Sequence, residues 1–266
     1  MQDRLRAPPL LVGRDGELAE LLAGLDAVAS GSGRLFLLAG DPGIGKSRLA
    51  HEAAARARDR GFTVAWGRCW EAGGAPAYWP WVQALRAVVR GAGSEQLRAQ
   101  LGAGAPFVAQ LVAEVGEMLP DIGPPPPMEA DGARFCLFDA VAAFLRNAGA
   151  GRPLMVVLDD LHAADAPSIL LLRFAARELG EARVLVLGAY RDIELDRGHP
   201  LTVALAARNW CRSWGRAPRS LRRSWRRWPR SCPMSARPRR WKRRRPGSAC
   251  SMRLPRSCAR PGPGSR

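Results

Sequence analysis

The chain has 266 residues and a formal net charge of +17, but the charge is uneven: residues 1–208 hold 22 basic and 24 acidic side chains, a net of −2, and residues 209–266 hold 19 basic ones and no acid. The first part is rich in Ala, Leu, Val and Gly and long enough to bury a core, and no apolar run approaches the ~18 to 20 residues of a membrane span, which excludes an integral membrane protein. Of six cysteines only Cys69 and Cys136 lie in that part, and none has C-x-x-C spacing, so neither a zinc centre nor a redox pair is supported.

Residues 1–9 carry charge with no apolar stretch behind them, which argues against a secretory leader and makes a cytoplasmic protein the expectation. Between residues 15 and 29 apolar side chains recur at helical spacing (Leu18, Leu21, Leu22, Leu25, Val28), and Gly31-Ser32-Gly33 stops the pattern. Residues 34–39 read as a short apolar strand that feeds a glycine-rich loop and then an Ala/Arg-rich helix to about residue 60. A second strand over residues 63–67 follows the break at Gly61. Residues 71–128 read as an inserted helical segment with Gly and Pro interruptions, ending in a stiff spacer at residues 124–127. The aromatic group Trp66, Trp70, Tyr78, Trp79 and Trp81 is most economically core or helix packing rather than a base-stacking platform. A helix over residues 132–147 leads to a third strand, 154–158, which runs into Asp159-Asp160; a helix over 166–179 leads to a fourth, 184–188. Continuous apolar strands alternating with helices predict an α/β fold: a parallel sheet of at least four strands covered by helices on both faces.

The loop after the first strand carries the chemistry. Gly40-Asp41-Pro42-Gly43-Ile44-Gly45-Lys46-Ser47 matches G-x-x-x-x-G-K-[ST] without a mismatch and sits between a strand and a helix, the context of a P-loop. Its glycines let backbone N–H groups close around phosphate oxygens without Cβ obstruction, and the helix that follows aims its partial positive end at the same anion. Lys46 is expected to reach the β- and γ-phosphates and the Ser47 hydroxyl to bind Mg²⁺. Lys46 is also the one lysine in residues 1–208, where every other basic residue is Arg, which suggests that this position requires a compact ammonium.

Asp159 and Asp160 end the third strand. Asp159 is expected to hold Mg²⁺, directly or through water, and Asp160 is the candidate to polarise an attacking water; the bland alternative is a helix N-cap after a buried strand. Asp is one methylene shorter than the Glu usual for a catalytic base. Arg191, just past the fourth strand, is placed to sense a γ-phosphate; the alternative is a solvated loop arginine paired to Asp192 or Glu194. His162 is open to a relay role or a structural one.

Four boxes in order carry a resemblance: Leu11-Val12-Gly13-Arg14-Asp15 with Glu17-Leu18; the P-loop; Val157 through Asp165 (Val-Leu-Asp-Asp-Leu-His-Ala-Ala-Asp); and Gly188-Ala189-Tyr190-Arg191-Asp192. Over about residues 10–208 the chain resembles the AAA-like, origin-recognition-complex-like P-loop ATPase module of STAND regulators, as in the large LuxR-type, MalT-like transcription activators. The resemblance implies that the P-loop strand neighbours the strand ending at Gly188, and that Val12, Gly13 and Arg14 help form an adenine pocket. It further implies an ATP- and Mg²⁺-dependent switch with slow hydrolysis, self-association, and, in a full-length relative, DNA binding through a C-terminal domain. Past Arg208 the resemblance stops: the family's fifth strand, lid, winged helix and output domain are not readable, so the chain is expected to be an N-terminal fragment.

Residues 209–266 hold five of nine Trp, eight of 22 Pro, and no helical or strand periodicity. Three readings are open: an arginine-rich nucleic-acid arm, a disordered solvated tail, and translation in the wrong frame. The third is favoured. Writing residues 223–232 in GC-rich codons, with Trp fixed as TGG, and skipping two bases yields Glu-Leu-Ala-Ala-Leu-Ala-Ala-Glu-Leu, an amphipathic helix of the composition of the first part. On that reading one base is gained or lost near the codons for residues 205–210 and the product is truncated; a product without selected function is a further alternative.

Overall fold

The computed structural model describes residues 13–196 and 198–206; the expectations for Val12 and for residues 209–266 lie outside the described residues. In chain order the helices and strands are α1 (Asp15–Ala29), β1 (Arg34–Ala39), α2 (Lys46–Asp59), β2 (Thr63–Arg68), α3 (Trp79–Arg90), α4 (Ser94–Leu101), α5 (Ala105–Ala109), α6 (Glu114–Met118), α7 (Ala130–Gly151), β3 (Leu154–Asp159), α8 (Ala166–Glu178), β4 (Val184–Tyr190) and α9 (Pro200–Ala206). Short 3₁₀ turns over Leu161–Ala163 and Asp192–Glu194 follow β3 and β4.

The four strands form one parallel sheet in the order β1-β4-β3-β2. Parallel neighbours need crossover connections, and helices supply them here. The P-loop strand β1 does neighbour β4, the strand that runs through Gly188. Every residue of β3 and β4 is buried, which is what their uninterrupted apolar sequence requires of strands covered on both faces. Side chains alternate between two cores with the period of two that a pleated strand dictates. Leu154, Val156 and Leu158 of β3, with Val184, Val186 and Tyr190 of β4, pack with residues of α3 through α8. Met155 and Val157, with Leu185, Leu187 and Ala189, pack against α1 and α2. No helix among the described residues is long and apolar enough to cross a membrane.

Two sequence expectations need correction. The helix read over residues 132–147 extends to Gly151, through Ala148-Gly149-Ala150-Gly151. Gly149 is buried so closely that an added Cβ would sit 2.9 Å from the Arg183 carbonyl oxygen, so close packing against the approach to β4 offsets the low helix propensity of glycine. Trp70, which the sequence groups with the core aromatics, is 58 % exposed, whereas Trp81 is fully buried and its indole donates to the Ser168 carbonyl at 3.0 Å. Trp66 lies stacked on His51, with ring centroids 4.4 Å apart.

Candidate functional site

Parallel strands deliver their carboxyl ends to one edge of the sheet, and the order β1-β4-β3 sets the loop after β1 close to the residues that end β4 and β3. The register is specific. Ala39 pairs with Tyr190, so Gly40 and Arg191 leave the sheet side by side; Arg68 pairs with Asp159.

The loop itself is shaped by left-handed backbone. Gly43 and Gly45 have φ of +76° and +94°, a region a side chain enters only with strain. Gly45 is the residue before the first turn of α2; no side chain caps this helix, and no acid stands in its first turn. The first N–H groups of α2 therefore face the loop without a side-chain acceptor, the arrangement that welcomes an anion. The ammonium of Lys46 folds back over the loop and donates to the carbonyls of Gly40 at 2.9 Å and Asp41 at 3.0 Å. Burial lowers its pKa below the ordinary lysine value, and the positive charge of Arg191 pushes the same way against the opposing charges of Asp159, Asp160 and Asp192. Ser47, one residue on, is half-buried at the start of the helix. Pro42 and Gly43 form a turn in which the Ile44 amide donates to the Asp41 carbonyl at 3.4 Å, and the Ile44 side chain is exposed.

Arg14 reaches this loop from the start of α1. Its Nη2 donates to the Ile44 carbonyl at 2.8 Å while Nη1 pairs with Glu17 at 3.0 Å, so the guanidinium ties the N-terminal box to the P-loop. Gly13, with φ of +73°, precedes it.

Asp159 and Asp160 are both buried, at 7 % and 6 % exposure. Asp159 Oδ1 accepts from the Asp160 amide at 3.0 Å. Asp160 stands in the left-handed region with φ of 57° and ψ of 40°, a conformation that costs a non-glycine residue about 1 kcal/mol or more. Its Oδ2 accepts from Arg68 Nε at 2.7 Å, and that bond together with the carboxylate charge raises the pKa of the arginine. Neither acid caps the next helix. That task falls to Asp165, whose carboxylate accepts from the Ser168 amide at 2.8 Å.

Arg191 is bound on two sides, to Glu194 Oε1 at 2.9 Å and to Glu71 Oε1 at 2.8 Å. The pairing expected for a loop arginine is thus present with Glu194, but Glu71 is a partner that sequence reasoning missed. The hydrogen bond from Arg191 holds the Glu194 carboxyl below its usual range. His162, 2 % exposed at its side chain, lies between the two glutamates. Arg68 was missed as well. Both missed residues lie at or just past the carboxyl end of β2, the same sheet edge as the P-loop, and that position is the signal that points to them.

Residues 10–187 match the family model described as AAA ATPase domain. The chain is also 28 % identical over 216 residues to an uncharacterized protein of Rhizobium meliloti (strain 1021), an alignment covering 73 % of this chain and 20 % of that protein. The chain therefore spans about a fifth of the length of the curated relative it matches.

Proposed function

Because the chain belongs to the AAA ATPase domain family, we propose that it binds Mg-ATP at the loop of residues 40–47 and hydrolyses it slowly, as the nucleotide switch of a larger signal-transduction or transcription regulator of the STAND, LuxR-type class. The observation that carries this reading is the convergence, on one sheet edge, of an uncapped helix start, the Lys46 ammonium, two buried aspartates and Arg191.

In this reading the amides of residues 43–47 and Lys46 hold the phosphates, with Gly40, Asp41 and Pro42 shaping the approach. Val12, Gly13 and Arg14 line the base end. Ser47 and Asp159 supply hard oxygen donors, the ligand type that suits Mg²⁺, which when bound neutralises charge on the phosphates. Asp160 accepts a proton from water as its oxygen attacks the γ-phosphorus and the bond to the β-phosphate oxygen breaks; Arg191 stabilises the charge that develops. The domain assignment is residues 1–208, with 71–128 as a helical insertion and 209–266 as a separate tail. Self-association, and DNA binding through a C-terminal domain of a longer protein, belong to the same proposal.

Isothermal calorimetry of the full chain tests the site. Lys46→Ala is expected to weaken Mg-ATP binding by tenfold or more, the scale of losing a charged hydrogen-bond donor. Equal affinity in the two proteins would sink the assignment.

A further inference from the structure

Arg191 is held by more than its own loop. Glu194 lies three residues on, in the turn that follows β4, but Glu71 arrives from beyond β2 and meets the other terminal nitrogen at 2.8 Å. A third loop joins the two carboxylates. His162, after β3, places Nε2 at 3.2 Å from Glu71 Oε1 and 3.3 Å from Glu194 Oε2, and its backbone carbonyl is fixed by His199 Nε2 at 2.9 Å. The imidazole is 2 % exposed at its side chain, and its Nδ1 has no hydrogen-bond partner. The tautomer that fits carries its proton on Nε2, where two carboxylates wait to accept it, and leaves Nδ1 as the buried acceptor without a partner.

One atom each from Glu71, Asp160 and His162 lie within 4.8 Å of one another, a spacing that also suits a metal ion. The chemistry is wrong for one. Arg191 occupies Glu71 and Arg68 occupies Asp160, and a metal on His162 Nε2 would move the ring proton to Nδ1, where no acceptor orients it. The cations these carboxylates are arranged around are the arginines.

Each terminal nitrogen of Arg191 carries two N–H groups, so after one bond to each glutamate it still has donors to give a phosphate oxygen. A long side chain left free would lose rotamer freedom on binding phosphate, and a guanidinium fixed beforehand avoids that loss. The register already sets Arg191 beside Gly40, and its charge is felt at Lys46.

We propose that Glu71 is a positioning residue for Arg191: with Glu194 and the buried His162 it fixes the guanidinium at the γ-phosphate end of the site and so sets the preference for a nucleoside triphosphate over the diphosphate. This rests on the nucleotide-site reading above. Glu71 carries the effect because, among the described residues, it is the partner that ties Arg191 to a loop other than its own.

The test is calorimetric titration of the full chain with Mg-ATP and with Mg-ADP, for the parent, Glu71→Ala, Glu71→Gln, Arg191→Ala, the Glu71→Ala/Arg191→Ala double variant and Lys46→Ala. Glu71→Ala is expected to lower ATP affinity about tenfold, the scale of one charge-assisted contact, with ADP affinity unchanged. Glu71→Gln, which keeps an oxygen acceptor, should restore most of the difference, and the double variant should be no worse than Arg191→Ala alone. Equal weakening of ATP and ADP would make Glu71 merely structural and overturn the proposal. So would unchanged or tighter ATP binding, which would make Glu71 a competitor for the arginine, or full additivity in the double variant. Should Glu71→Ala fail to fold, Glu71→Gln against Arg191→Ala decides by the same ratio. Lys46→Ala separates the two levels: unimpaired ATP binding there defeats the nucleotide site itself, whereas loss there with a silent Glu71→Ala defeats only the positioning.

Discussion

A single thiol shows how burial and nearby charge act on one group. Cys69 follows β2 and is 4 % exposed; burial, with the negative charges of Asp165, Asp160 and Asp159 behind it, pushes its pKa from 9.0 up to about 12. The folded state thus keeps a proton that the unfolded chain releases. The stabilising contribution is fully present below pH 9 and is lost as pH rises toward about 12, a fall of roughly 4 kcal/mol over that window. Urea unfolding at a series of alkaline pH values should show a shallower decline for Cys69→Ala than for the parent, and parallel declines would show that the thiol stays exposed to solvent. Tyr190, raised by its own burial, adds a decline that the substitution leaves in place. The residues that carry charge at the site differed in how readable they were. Lys46 stands out in sequence because it is a lysine among arginines and sits in a fixed motif. The partnership of Arg68 with Asp160 joins residues 92 positions apart, and a pairing set by strand register leaves no local pattern to read.

At the level of helices and strands, local pattern was enough wherever burial was uniform. The apolar runs that became β3 and β4 are buried throughout, so composition alone gives them away. Trp70 shows the opposite case: an aromatic in a Gly-rich loop has no periodicity to say which way it faces, and it is 58 % exposed. The start of α8 is a subtler case: the sequence offers three aspartates before it, and of these only Asp165 accepts from the Ser168 amide, with the Ser168 hydroxyl donating back at 2.6 Å. Asp165→Ala is expected to cost about 1 kcal/mol, read as a lower urea midpoint at unchanged slope. A larger loss is expected where β2 meets α3. A Cβ on Gly67 would fall 1.8 Å from the Pro80 carbonyl oxygen, which is backbone at the start of α3 and cannot turn aside. Gly67→Ala should therefore destabilise by about 1 to 3 kcal/mol or more, as overpacked cores do. A substitution tolerated within 0.5 kcal/mol would mean that α3 slides freely over β2.

For the whole molecule, the parallel order β1-β4-β3-β2 is what turns residues from four separate stretches of sequence into one site, and the alternation of strands with helices predicted its class but not which loops would meet. Charge divides the chain differently. The nucleotide reading depends on residues 1–208, near neutral at −2, while residues 209–266 bring 19 basic side chains and no acid. Those two features predict separable behaviour. A polycation of that density displaces counterions from DNA, so the full chain should bind duplex DNA with a logarithmic affinity that falls linearly with log salt, by about 0.9 per phosphate neutralised. Because Lys46 is one charge in a P-loop remote in sequence from that block, Lys46→Ala should leave both the DNA affinity and its salt slope unchanged while it lowers Mg-ATP affinity. Filter binding across a salt series, with parent and variant side by side, reads both quantities. A DNA affinity that survives high salt and varies with base sequence would instead favour a selected nucleic-acid arm, since counterion release is blind to sequence. A DNA affinity lost with Lys46→Ala would place the contact on the nucleotide site and overturn the division by charge.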